Sequence, residues 1–237
     1  MSFAPPPGYQ SLVVLDKAKH KAHGIRPHAA RFAAHLQTLY LTVAEFIAAA
    51  RHYPITFARD SHGALHPFAV VGPTPGCNLW VDAEGDWRAD AYCPAYVRRY
   101  PFATLRALDV GVTKSVICVD EAGLDDTLPH LFDSRSEPTA YWRDLQRLIE
   151  EFDSAQIQTD AFCARLESLG LLENFEADIN PTLGARTRIT GMLRVREDAL
   201  QALAPAQLAA LVRDGSLPRI YAHLMSLDNF HGLLKNA

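Results

Sequence analysis

No Cys-x-x-Cys pair occurs in this chain, and its four cysteines, Cys77, Cys93, Cys118 and Cys163, are scattered. A zinc ribbon or a thioredoxin-like motif is therefore not indicated. Without a secretion signal the thiols are expected to be reduced and buried. Gly-x-Ser-x-Gly, His-Glu-x-x-His, the P-loop and Gly-x-Gly-x-x-Gly are all missing. The commonest signatures of hydrolysis, zinc proteolysis, nucleotide hydrolysis and dinucleotide binding go with them. No apolar run reaches bilayer length: the longest, LYLTVAEFIAAA, is interrupted by Thr42 and Glu45. Positive charge is not in excess either. The 23 Lys and Arg face 27 Asp and Glu, for a net charge of −4, which argues against a nucleic-acid binder. The N-terminus, MSFAPPPGYQSLVVLD, has no basic stretch leading into an apolar one. A cytoplasmic location is expected, with signal-independent export to the cell surface as the alternative.

Acids are also missing locally. Residues 17–44 contain none, but carry Lys17, Lys19, Lys21, Arg26 and Arg31 with His20, His23, His28 and His35. His20-x-x-His23 has metal-capable spacing, yet no nearby carboxylate completes a site or orients an imidazole. No metal and no cofactor are expected. The stretch reads as a solvated basic surface suited to an acidic partner.

Apolar residues make up 49% and charged residues 21% of 237 positions, enough for a proper core. Residues 1–10 form a Pro-rich leader. Residues 11–237 read as one domain of α+β class, with two lobes sharing an interface: a sheet-rich 11–136 and a helical 137–237 that includes a hairpin. No Gly/Ser/Pro linker divides them. SLVVLD, PITFA, HPFAVVG, CNLWVD, FATLRAL and SVICVD are expected strands, with turns at DSHG, PTPG and DAEGDW. A helix is expected over about 41–52, and another ending at Tyr100. Leu145, Leu148, Phe152, Ala155, Thr159, Phe162, Leu166 and Leu169 recur at helical period, starting near Pro138 and Thr139 and ending at Gly170. This stripe reads as core helix, with a coiled-coil dimer seam as the alternative.

NFEADI and ARTRITGMLRVR predict a hairpin. Phe175, Ala177, Ile179, Ile189, Leu193 and Val195 would face inward, and Arg186, Arg188, Arg194 and Arg196 outward. These arginines are expected to pair with Glu176 and Asp178 or to be solvated. Two helices close the chain, in PAQLAALVRDG and LPRIYAHLMSLDNFHGLL.

Two tetrapeptides rhyme: Arg51-His52-Tyr53-Pro54 and Arg98-Arg99-Tyr100-Pro101. In one account each ends a helix and hands over to a strand. In the other, Arg51 with Arg98 or Arg99, beside Tyr53 and Tyr100, forms walls of a site for a carboxylate or phosphate. Such a pocket suits an amino acid, a peptide end or a small carboxylate. His52 is a candidate acid/base, or an ordinary helix-end histidine.

VAEFIAAARHYPITF, NLWVDAEGDW and AYVRRYPF resemble the SapC family of bacterial proteins. So do PTAYWRDLQRLIEEF, TDAFCARLESLGLLE, ITGMLRVREDALQAL and GSLPRIYAHLMSLDNFHGLL, and the resemblance covers about 11–234. The departures are Ile47, where the family often has proline, and the histidine-rich 17–35. This family is distinct from the membrane peptide permease that shares its name. The resemblance implies a surface-layer association. It also implies a gene context of nutrient receptors and flavin-dependent, halogenase-like proteins, and hence such an enzyme as a partner. It implies no catalytic residues. Three readings follow: a non-catalytic accessory or binding protein, an enzyme of unrecognised type using Arg, Tyr and His, and a surface-layer-associated structural protein. The first is preferred because catalytic motifs are missing. The sequence leaves open whether the chain forms a homo-oligomer.

Overall fold

The computed structural model describes residues 5–109, 112–126, 129–179 and 187–233. Its elements run β1 (Leu12–Val14), α1 (Lys17–His20), β2 (Gly24–Ile25), β3 (Thr38–Tyr40), α2 (Phe46–Ala49), β4 (Ile55–Arg59), β5 (Leu65–Val70), α3 (Ala95–Arg98), β6 (Phe102–Asp109) and β7 (Val112–Asp120). They continue with β8 (Leu124–Asp125), α4 (Ala140–Ser168), β9 (Leu172–Ile179), β10 (Thr187–Val195), α5 (Glu197–Gln201), α6 (Pro205–Arg213), α7 (Ser216–Ser226) and α8 (Phe230–Leu233). The class is α+β. Among the described residues no helix is long and apolar enough to cross a membrane.

Contacts divide the chain into two compact units that alternate along it. The first is Met1–Ala34, Val81–Arg88 and Ala95–Ser154; the second is His35–Trp80, Ala89–Pro94 and Ala155–Ala237. The first holds a three-stranded sheet, β1-β7-β6, and the pair β2-β8. Phe102, Val119, Leu131, Phe132, Trp142 and Ile149 form its core. The end of the leader is tied down there. Tyr9 is buried, its hydroxyl donates to the Phe102 carbonyl at 2.9 Å, and the Tyr96 hydroxyl donates to the Pro7 carbonyl at 2.6 Å. The second unit holds a five-stranded antiparallel sheet, β3-β5-β4-β10-β9. Val70, Ala177, Ile179, Ile189, Met192 and Leu233 cluster on it.

Helix α4 follows the apolar stripe. The Thr139 hydroxyl accepts the Trp142 N–H at its start, and Gly170, at φ +63°, ends it. Trp142, Ile149, Phe152, Thr159, Phe162, Cys163 and Leu166 are buried. Residues to Ser154 belong to the first unit and those from Ala155 to the second.

Three loops share one device. Asp60, Asp82 and Asp133 each open a five-residue loop. One carboxylate oxygen of each takes two backbone N–H groups, from His62 and Ala64, Gly85 and Asp86, and Arg135 and Glu137. This is the Asp side of turn chemistry, in which a short side chain replaces a missing backbone acceptor. Asp82→Ala is expected to cost about 1 kcal/mol, read from a urea midpoint.

Some sequence expectations fail for physical reasons. CNLWVD supplies no strand, only the isolated bridge Val81–Trp87. The helix expected over 41–52 shrinks to a 3-10 turn at Val43–Glu45 followed by α2. His20 is not solvated: it is buried, and its Nδ1 accepts the Asp16 N–H at 2.9 Å. Its neighbour Lys19 pairs with Glu121. In the hairpin the register shifts between Ile189 and Met192, and Gly191 takes φ +77°. That bulge puts Met192 opposite Phe175 and turns Arg194 onto the Phe175 face. The Arg194 guanidinium lies over the Phe175 ring at 5.0 Å and its Nε meets Glu173 at 2.7 Å. Arg188 stays on the open face and pairs with Asp178 and Glu176. Arg186 lies outside the described residues.

Candidate functional site

The rhyming segments fall in different units, and each is built into its own. In the second unit, Ala50 and Tyr53 carbonyls accept the Asn229 side-chain amide at 2.8 and 3.1 Å. Tyr53 is fully buried, stands edge-on to Trp80 at 4.9 Å, and donates its hydroxyl to the Tyr92 carbonyl. His52 is half-buried, 6.3 Å from the Trp80 ring, and Arg51 is exposed. In the first unit α3 ends at Arg98, which is exposed, and the Tyr100–Pro101 peptide is cis. Tyr100 stacks on Phe32 at 4.0 Å and its hydroxyl reaches Asp120 at 3.4 Å. Burial pushes the Tyr9 phenol up to about 12, and burial together with Asp120 raises that of Tyr100. Both phenols therefore stay protonated donors. Arg99 is buried, with its guanidinium 4.1 Å from the Phe152 ring centre and 5.3 Å from that of Tyr96. Its Nε has no hydrogen-bond partner.

A site that sequence reasoning missed lies in the second unit. Val43, Gln158, Ala161, Phe162, Arg165, Asp214, Ser216 and Arg219 line a cleft of about 580 Å³. That size lies within the usual range for small-molecule sites. Gln158, Ala161, Phe162 and Arg165 share one face of α4, being spaced by three and four. Val43 is held against that helix, because its N–H donates to the Thr159 hydroxyl at 2.9 Å. The Thr159 hydroxyl donates in turn to the Ala155 carbonyl at 2.6 Å.

The junction of α6 and α7 supplies the other wall. Gly215 takes φ +75°, and the Arg219 Nη1 folds back to donate to its carbonyl at 2.6 Å. A Cβ at Gly215 would sit 2.7 Å from that nitrogen, so glycine admits the fold-back as well as the turn. Asp214 accepts the Ser216 N–H at 2.9 Å. Asp214 is exposed, and the slight desolvation it suffers opposes its ionisation. Hydrogen bonds from the Ser216 hydroxyl and N–H, with the charges of Arg165 and Arg219, outweigh it and hold the carboxyl below the usual range. Neither arginine forms an ion pair among the described residues, and the Arg165 Nε is shielded from water with no partner. No short motif marks this site. Its two arginines sit in helices separated by a whole hairpin, and neither lies in an RxYP segment.

These features define an α+β protein with a cationic cleft in one unit. By comparison with known families the chain belongs to the SapC family, whose model matches residues 15–233. No curated protein and no solved structure matches it.

Proposed function

We propose that this chain is a non-catalytic binding protein for a small acidic molecule, held in the cleft between Arg165 and Arg219. One observation carries the reading: two arginines line a ligand-sized cleft and neither is ion-paired among the described residues. A guanidinium nitrogen shielded from water without an acceptor, as the Arg165 Nε is, is costly, and a bound carboxylate or phosphate supplies one. The apolar wall of Val43, Ala161 and Phe162 limits competition from water.

A thermal-shift screen of small carboxylates, phosphates, amino acids and short peptides tests this. A ligand at a hundred times its Kd stabilises the native state by about 2.7 kcal/mol, or roughly 5–10 °C for a chain of this size. The shift is expected to vanish in an Arg165→Ala/Arg219→Ala variant that circular dichroism shows to be folded. It should persist in Arg51→Ala/Arg98→Ala. A shift that survives loss of both cleft arginines overturns the assignment.

A second reading assigns the ligand to the RxYP segments, with Arg51, His52, Tyr53, Arg98, Arg99 and Tyr100 as candidates. It is favoured by the buried Arg99 guanidinium, which has no ion-pair partner among the described residues. It predicts the reverse pattern: the shift is lost in Arg99→Ala and kept in the cleft variant.

A further inference from the structure

We infer that the cleft is built for a zwitterion: a free α-amino acid with an apolar side chain. The inference rests on the cationic-cleft reading above and sharpens it to one ligand class. The wall is not uniformly positive. Asp214 lines it together with Arg165 and Arg219, and its carboxylate accepts the Ser216 N–H at 2.9 Å. Asp214 is exposed and lines the cleft, so its carboxylate keeps acceptor positions beyond those used by Ser216.

A plain anion would bind beside a fixed negative charge and be repelled by it. Inorganic phosphate or a phosphomonoester would suffer more, with nearly two charges against one carboxylate. An α-amino acid removes the conflict. Its carboxylate takes the guanidinium forks and its ammonium, one carbon away, takes Asp214. Each contact is then charge-assisted. Val43, Ala161 and Phe162 remain for the side chain, and Gln158 for a polar atom of the ligand. The cleft, at about 580 Å³, is the size of a small-molecule site and far too small for a folded partner.

The test uses the full chain and isothermal titration. The twenty L-amino acids are titrated singly. Leucine and phenylalanine are then compared with 4-methylpentanoate and 3-phenylpropionate, which lack only the ammonium group. The expected result is binding of leucine, phenylalanine or both, about 10–100-fold tighter than the matching acid. Asp214→Asn keeps an acceptor for Ser216, and should close the gap between the two ligands, weakening the amino acid and strengthening the matching acid. Equal affinity of amino acid and acid in the wild type overturns the zwitterion and leaves the anion site standing. Binding of neither, with no shift from other carboxylates or phosphates, overturns both.

Discussion

Acidification from pH 7 to pH 4 should remove about 3 kcal/mol of stability through His223 alone. His223 is fully buried on α7, at a place where β4 and β10 share a single paired position, Leu193 with Phe57. Its imidazole bridges the two strands. Nδ1 contacts the Ile55 carbonyl at 2.8 Å, and Nε2 accepts the Val195 N–H at 3.0 Å. That pair of contacts requires the neutral ring with its proton on Nδ1. Ser226 completes the join, accepting the Ile55 N–H at 2.9 Å and donating to the His223 carbonyl at 2.6 Å. Burial lowers the imidazole from 6.5 to about 4, against the opposing hydrogen bond it donates to the Ile55 carbonyl and with help from Arg194. The folded state therefore resists a proton that the unfolded state takes. Stability is intact above about pH 6.5 and falls as pH drops toward 4. Glu121, Asp60 and Asp214, whose carboxyls are also held low, begin to add their losses only below about pH 5, at the acid end of this window. His223→Leu isolates the effect. It leaves two buried backbone groups without partners and should cost about 3 kcal/mol at pH 7. Its stability should then lose the slope between pH 6.5 and 4 that the wild type shows. Parallel pH profiles for the two proteins in urea would contradict this account.

Asp120→Ala should be as damaging, at about 3–5 kcal/mol, and its damage should be local to the leader. Asp120 has no exposed surface. Its Oδ1 accepts the Ser11 and Ala122 N–H groups at 3.0 and 3.2 Å, and its Oδ2 accepts the Gln10 N–H at 2.8 Å. The Tyr100 hydroxyl reaches the same Oδ2. Alanine strands three backbone donors beside a buried phenol. Because two of those donors hold the entry to β1, limited proteolysis before residue 17 should accelerate well beyond the loss of global stability. A variant that unfolds earlier in urea but is cut no faster in the leader would show that Asp120 serves the core alone.

What the sequence disclosed follows from which forces are local. The strands β4, β5, β6, β7, β9 and β10 are bounded by proline, glycine or Asp-led turns, so their positions were legible. Helix α4 was legible from its period, and Gly170 from its place at the end of the stripe. The bulge at Gly191 was not, because a single added residue leaves composition unchanged while turning Arg194 to the other face. The burial of His20 was hidden because its partner is a backbone N–H, which carries no sequence signal. His223 was hidden for the same reason. The division of the chain was hidden because the units alternate along it, and contact between distant segments leaves no linker. The cleft arginines were not legible because they come from helices far apart in the chain, and no short motif joins them. Tyr53 and Tyr100 proved to be buried, with each hydroxyl engaged inside its own unit.

The central claim is that Arg165 and Arg219, on helices far apart in sequence, hold the ligand of this SapC-family chain. Arginine-selective labelling with phenylglyoxal, read by peptide mass spectrometry with and without the tightest-binding amino acid, tests it most directly. The account predicts that the ligand slows labelling of Arg165 and Arg219 and leaves the exposed Arg51 and Arg98 unchanged. Protection of Arg51 or Arg98, with the cleft arginines labelled as fast as before, would contradict it and return the site to the RxYP segments.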